Sequence, residues 1–244
     1  MRILVANANT TVAITELCAA AARAAAAPGT TIVAATPRFG PAVISSRAEN
    51  IVAGHALLEL LAEHAGQVQA VVLAVSHDTA LEAARQLMPC PVVGMTEAAC
   101  LTACLVGGRF GLLTLGGVET YRELIGRHGL SARLSGLEGL PLTPQDAVRD
   151  PARAEALVLE GIGRLAEQGA DAVVLGGAAL AGLAAKLAAR SPVPLLDGIA
   201  CAVKLAEVLV ALDLPKPRAG SLAPAASGRE SSGLSPALAA LLRG

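Results

Sequence analysis

Short apolar runs alternate along the chain with longer stretches whose apolar positions recur every three or four residues. The runs predict strands over 2–6, 31–36, 70–75, 92–95, 110–114, 172–176 and 194–197, with a weaker candidate over 133–141. The longer stretches predict helices over 11–26, 49–66, 78–88, 96–106, 117–128, 150–168, 179–190 and 199–212. Thr10 or Thr11, Ser46, Asp78, Thr96 and Asp150 stand where helix N-caps belong. Gly29, Gly169 and the pair Gly107-Gly108 stand where helices should stop. Strands that alternate with helices in this way are the signature of βαβ units and a parallel sheet.

The pattern repeats. Ala70-Val-Val-Leu73 and Ala172-Val-Val-Leu175 are identical, and positions 70–84 match 172–186. Each run turns sharply into an alanine-rich segment, and each is followed by a proline, Pro91 or Pro194, and a further apolar run. The starts of the halves correspond as well: Arg2-Ile-Leu-Val5 precedes a helix with Glu16-Leu17, and Arg109-Phe-Gly-Leu112 precedes one with Glu123-Leu124. The chain therefore reads as an α/β protein of two pseudo-symmetric lobes, 1–107 and 108–212. Each lobe is expected to be a mostly parallel sheet flanked by helices. Ligands of parallel α/β sheets bind outside the carboxyl ends of the strands, so the site is expected in the interlobe cleft, beside the residues that follow both Ala-Val-Val-Leu runs. Residues 213–244 are rich in turn formers and read as a loosely structured tail, ending in a short apolar segment, Pro236 to Leu242, that docks on its own lobe or on a neighbour.

Composition narrows the function classes. The 244 residues carry a net charge of −1 with both signs dispersed and an aromatic content of 1 %. This lacks the basic patch and stacking rings of a nucleic-acid binder. No apolar run approaches the about 20 residues that span a bilayer, and the N-terminus has no signal-peptide pattern. The expectation is a cytoplasmic protein that takes a small-molecule substrate, without nucleic-acid or membrane partners. The five cysteines, Cys18, Cys90, Cys100, Cys104 and Cys201, form no CxxC pair and read as reduced, buried residues. No cofactor is implied: Lys186 and Lys204 fall mid-helix and Lys216 in the tail, and there is no P-loop, no G-x-G-x-x-G and no metal-ligand cluster.

Met1-Arg-Ile-Leu-Val-Ala-Asn-Ala-Asn-Thr-Thr11, His77-Asp-Thr-Ala-Leu-Glu-Ala-Ala-Arg85, Pro91-Val-Val-Gly-Met-Thr-Glu-Ala-Ala99, Gly169-Ala-Asp-Ala-Val-Val-Leu-Gly176 and Pro194-Leu-Leu-Asp-Gly-Ile-Ala-Cys201 occur in order over residues 1 to about 212. This ordered set resembles the aspartate/glutamate/hydantoin racemase superfamily, in particular its hydantoin and allantoin racemase branch. The resemblance implies the two-lobed fold, cofactor-independent proton transfer at a carbon beside a carbonyl, and a homo-oligomer. It also implies that the Asn-x-Asn-Thr turn contacts substrate, which singles out Asn9, Thr10 and Thr11, with Thr114 at the matching place in the second half.

The resemblance further implies two cysteines, one per lobe, directly after the Ala-Val-Val-Leu runs. One thiolate takes a proton from one face of the substrate carbon, and the other thiol returns one to the opposite face. In this chain those positions hold Val75 and Gly177, which carry no transferable proton. His77, two residues on and at the expected start of a helix, is the remaining acid/base candidate, with a helix N-terminus favouring its neutral form; the alternative is a solvent-facing loop residue. Ser76 stands beside it either as a donor to a carboxylate or enolate oxygen or as a partner for backbone. Gly176, Gly177 and Ala178 offer backbone N–H groups at a helix start that suit an anion, or else simply permit a tight turn. Arg47 is a candidate partner for a substrate carboxylate, or a solvated side chain. Glu97 and Asp197, after the fourth strands of the halves, are candidates for holding backbone or the partner lobe.

Three functions follow. The first is a cysteine-independent isomerase or lyase acting on a small carbonyl, carboxylate or cyclic ureide compound through an enolate-like intermediate, with His77 as base. The second is a binding protein that retains the site without the chemistry. The third is a racemase with displaced thiols, for which Cys100 and Cys201 are the candidates.

Overall fold

In the computed structural model, residues 1–224 and 228–243 are described. The described residues form two four-stranded parallel sheets flanked by helices. The first sheet contains β1 (Arg2–Ala6), β2 (Thr31–Ala35), β3 (Ala70–Leu73) and β4 (Val92–Gly94) in the order β2-β1-β3-β4. The second contains β5 (Phe110–Leu115), β6 (Leu134–Leu140), β7 (Ala172–Gly176) and β8 (Leu195–Asp197) in the order β6-β5-β7-β8. The weak candidate over 133–141 is thus a true strand. The registers repeat as the sequence does: Ile3 pairs with Ala70 as Phe110 pairs with Ala172, and Ala6 pairs with Leu73 as Leu113 pairs with Leu175.

Each sheet is sandwiched because parallel strands can be joined only by crossovers that lay helices on their faces. In the first unit α1 (Val12–Ala25), α2 (Arg47–His64) and α3 (Leu81–Leu87) make the crossovers. Leu4, Leu57, Leu61, Val71, Leu73 and Leu81 sit in one continuous apolar core. In the second unit α5 (Glu119–Arg127), α7 (Pro151–Glu167) and α8 (Leu183–Leu187) do the same. One face of its sheet buries Leu113, Val173 and Leu175 against Val158, Ile162 and Leu165 of α7. The other buries Phe110, Leu112, Ala172 and Val174.

The compact units do not divide at residue 107, as the repeat suggested. One comprises Met1–Gly94 with Val203–Gly244, the other Met95–Ala202. The reason lies in α4 (Met95–Val106), whose buried stripe Ala99, Cys100 and Ala103 packs with Phe110, Leu112, Ala172 and Val174 of the second sheet. The second boundary falls inside α9 (Gly198–Ala211).

Three helices begin differently from their sequence signals. The helix expected from residue 78 starts at Leu81, because Asp78 and Ala80 are left-handed (φ 47° and 56°) and Ala80 is its N-cap. Asp78 is therefore no cap; it is 4 % exposed and its carboxylate lies against Gly94, where an added Cβ would come within 2.5 Å of its Cγ. Thr96 lies inside α4, which starts one residue earlier. The helix expected over 179–190 is broken into a 3-10 turn at Ala178–Leu180, α8, and a second turn at Ala188–Arg190, with left-handed Gly182 between the first two. Ser46 and Asp150 cap as expected, Ser46 in a reciprocal capping box with Glu49. A helix the periodicity missed, α6 (Pro144–Arg149), carries a box of the same kind from Thr143 and Asp146 with proline at its first position.

The tail docks on its own unit. α10 (Pro236–Arg243) packs on α2, with Leu238 2 % exposed. The Ser235 amide donates to Glu59 Oε1 at 3.1 Å. Lys216 Nζ donates to the carbonyls of Gln86 and Met88 and so caps the carboxyl end of α3.

Two predictions test this packing. A Cβ at Gly139 in β6 would lie 2.2 Å from the backbone oxygen of Gly116, in the turn that leaves β5. Gly139→Ala should cost about 1–3 kcal/mol, an overpacking penalty read as a lower urea midpoint at unchanged slope. Hydrogen bonds from Ser45 and Ser46 hold the Glu49 carboxyl at about 2, below its ordinary value of 4.5. A depressed folded value stabilises above the unfolded value and is lost as pH falls through the folded one. Protection of the Ser45 and Ser46 amides against exchange should therefore disappear between pH 4.5 and about 2.

Candidate active site

A parallel sheet with the order β2-β1-β3-β4 changes winding direction between β1 and β3, and the crevice outside the carboxyl ends of such a pair is where α/β proteins bind ligands. The second sheet changes direction between β5 and β7. Each unit therefore has its own candidate site.

In the first unit the chain leaves β1 at Asn7, which is fully buried. Asn7 Nδ2 donates to Asn9 Oδ1 and to Thr15 Oγ1, each at 3.0 Å, and Asn7 Oδ1 accepts the Asn9 N–H at 3.1 Å. Asn9 Oδ1 also accepts the Thr11 N–H at 2.9 Å. Loop 36–46 closes over this turn: Pro41 O accepts the Thr10 N–H at 3.0 Å, and Ala42 O accepts the Thr11 hydroxyl at 2.7 Å. Thr11 is the N-cap of α1 by position, but its hydroxyl is spent on Ala42 and makes no side-chain cap. Asn9 and Thr10 are half-buried.

On the neighbouring strand, β3 runs into Ala74, whose N–H still donates to Ala6 O at 2.8 Å, and then into Val75, Ser76 and His77. Ser76 and His77 are half-buried in the loop at the carboxyl end of the strand. His77 lies four residues ahead of α3, so the expected helix-terminus effect on its imidazole does not operate; helix fields act within the first turn. The other histidines are on helices: His55 and His64 in α2, and His128 closing α5 beside Glu97, with Nδ1 3.5 Å from Oε1. Val75 is 5 % exposed and its side chain belongs to the apolar core. Arg47 opens α2 and is exposed. One turn on, Asn50 Oδ1 accepts the hydroxyl of the buried Thr79 at 2.6 Å, which ties the start of α2 to the His77 loop.

In the second unit Thr114, 1 % exposed, is the register partner of Gly176 on β7 and Gly139 on β6, so it has a glycine on either side. Gly177 follows with φ 131°, a conformation that strains any side chain, and no atom lies within 4 Å of where its Cβ would be. The expected α-helix start at Gly177-Ala178 is only a three-residue 3-10 turn, too short to act as a helix dipole. Asp197 ends β8 and holds backbone: its carboxylate accepts the N–H of Gly182 and, at 3.0 Å, that of Ala200.

None of the five cysteines is in a disulfide. Cys18 and Cys100 are fully buried, and Cys100 is part of the second core. Burial pushes the Cys201 thiol up to about 11, with Asp197 adding to the rise and the Thr102 hydroxyl opposing it. Burial also raises Cys90, which precedes β4 at the amino end of the sheet. Among the described residues no three of His, Cys, Asp and Glu gather into a metal-binding group, and no helix is long and apolar enough to cross a membrane. Asn7 as the organiser of the β1 turn was not singled out from sequence. Its signal was a polar residue directly after an unbroken apolar strand, two positions before a second asparagine.

The family model for Asp/Glu/Hydantoin racemase matches residues 3–206. A hydantoin racemase of Pseudomonas sp. (strain NS671) is 36 % identical over 217 residues, 87 % of each chain. A hydantoin racemase of Paenarthrobacter aurescens is 35 % identical over 227 residues, covering 91 % of this chain and 96 % of its own. The solved structure of allantoin racemase from Klebsiella pneumoniae superposes with a TM-score of 0.89 at 37 % identity, over 99 % of this chain and 98 % of the other. With two parallel sheets of matching register and a full-length match of this kind, the chain belongs to the Asp/Glu/hydantoin racemase family.

Proposed function

We propose that this protein is a cofactor-independent isomerase or lyase of the hydantoin and allantoin racemase type, working without a cysteine pair. Its substrate is a cyclic ureide or a related small carbonyl or carboxylate compound. His77 removes the proton from the carbon next to the carbonyl. The C–H electron pair moves into the carbon–carbon bond and the carbonyl pair onto oxygen, giving an enolate. Donors at the strand ends of the first unit, Asn9, Thr10 and Ser76, stabilise that oxygen, and the backbone of Gly176, Gly177 and Ala178 is the anion-binding element of the second unit. Thr11 holds the β1 turn, Thr114 shapes the site of the second unit, and Arg47 pairs with a substrate carboxylate. A single base that returned the proton to the same carbon from the same side would only regenerate substrate. Net turnover therefore delivers that proton to a different atom of the enolate, an isomerisation, or expels a leaving group from it, an elimination or ring opening in which the departing group takes the proton.

One observation carries this reading: the two matched strands are followed by Val75, buried in the core, and by Gly177, which has no side chain, while His77 stands two residues past the first. The high thiol pKa of Cys201 and the complete burial of Cys100 speak against displaced thiols, because the thiolate is the reactive base.

Two measurements test the proposal. In deuterated water the protein should exchange the C5 proton of a 5-substituted hydantoin or of allantoin, or turn the compound over. His77→Asn should lower that rate by about 10²–10⁴-fold, the usual worth of a general base. If ligand raises the melting temperature of both forms equally and neither exchanges the proton, the protein binds without catalysing. Iodoacetamide at pH 7.5 should leave turnover largely intact, and Cys100→Ala with Cys201→Ala should keep most of it. Loss of activity in step with alkylation would return the reaction to the thiols.

A further inference from the structure

The turn after β1 fixes the direction of both of its side-chain amides. A backbone N–H can only donate, so the atom that receives it must be an oxygen. The Asn9 N–H meets one terminal atom of Asn7 at 3.1 Å, which makes that atom Oδ1 and the other Nδ2. The Thr11 N–H meets one terminal atom of Asn9 at 2.9 Å, which is therefore Oδ1. Asn7 Nδ2 donates to the same oxygen at 3.0 Å and to Thr15 Oγ1 at 3.0 Å, and Thr15 is held in turn by Thr36, oxygen to oxygen at 2.6 Å. The Asn9 oxygen thus has two donors on it. Reversing the Asn9 amide would set its NH2 against both the Thr11 N–H and the Asn7 NH2, a conflict that water cannot relieve where Asn7 is fully buried. The Asn9 and Thr11 N–H groups are engaged within the turn and the Thr10 N–H by Pro41 O. What the half-buried Asn9 side chain has left for a ligand is its NH2 group.

We infer that Asn7 is a positioning residue that locks Asn9 with its NH2 outward, so that the ligand group meeting Asn9 at the end of β1 must be a hydrogen-bond acceptor. The substrate group placed there is an imide, amide or carboxylate oxygen; an imino or amino group in its place is rejected, because two donors then face each other. The inference rests on the reading of Asn9 as a substrate contact, and it adds which atom of Asn9 is presented and which residue sets it.

The test is equilibrium binding by calorimetry at pH 7, with 5-methylhydantoin and its imino analogues, in which either ring oxygen is replaced by NH, as probes. Wild type should bind the hydantoin at least about tenfold more tightly than the imino analogue altered at the oxygen that meets Asn9, the scale of an unmade buried hydrogen bond. Asn9→Asp keeps the oxygen that Thr11 and Asn7 need but replaces the outward NH2 with a carboxylate oxygen. It should weaken hydantoin binding and narrow or reverse the preference over that analogue. Its deficit relative to wild type should shrink as pH falls from 7 toward about 4, where an aspartate begins to protonate, because a protonated carboxyl donates again; a purely structural defect has no such pH dependence. Asn7→Asp removes the donor that orients Asn9, and its effect on hydantoin binding should be strongly non-additive with Asn9→Ala. If Asn7→Asp fails to fold, Asn9→Asp alone decides. Additive effects, or an unchanged preference in Asn9→Asp, overturn the inference while leaving Asn9 a contact. If Asn9→Ala binds hydantoin as wild type does, the contact itself is wrong and the inference falls with it. The same holds if wild type binds no hydantoin.

Discussion

A parallel strand cannot return to its neighbour by a tight turn; it needs a crossover, and the crossover lays a helix on the sheet. That constraint organises both units of this protein. It places every strand's carboxyl end on one edge, covers both faces of each sheet, and leaves one crevice per sheet where the winding reverses, between β1 and β3 and between β5 and β7. The residues with chemistry to offer, Asn9, Thr10, Ser76, His77 and Thr114, stand at those edges because the backbone has nowhere else to put the ends of its central strands. The cores beneath are built from short aliphatic side chains, and the closeness this allows is visible where a Cβ at Gly161 of α7 would come within 2.5 Å of Leu113 in β5.

The fold treats the two positions that follow the matched strands in different ways. Val75 lies in the apolar core of its unit and is 5 % exposed, so it contributes packing. Gly177 has kept a backbone angle of φ 131° and open space where a side chain would stand. A cysteine there would meet backbone strain before any question of reactivity arose. Around these positions side chains hold backbone: Asp197 accepts the N–H groups of Gly182 and Ala200, Asp78 sits against Gly94, and Asn7 and Asn9 bond the turn after β1.

The sequence by itself determined the strands, their parallel pairing and the duplication, because a period-two or continuous apolar run and its helical successor are local patterns. The equivalence of Ala70 with Ala172, read from four identical residues, reappears as equivalent registers in the two sheets. The sequence also placed His77, Val75 and Gly177 directly after those strands, since that is a statement about position along the chain. Tertiary structure decided what depends on residues far apart. Nothing local says that α4 packs on the sheet that follows it, that Asp78 is left-handed because its carboxylate lies against Gly94, or that the helix after β7 breaks where Asp197 takes the Gly182 N–H. Side-chain direction belongs to the same class. An asparagine in a sequence is both donor and acceptor, and only the surrounding N–H groups, brought together by folding, decide which end Asn9 presents.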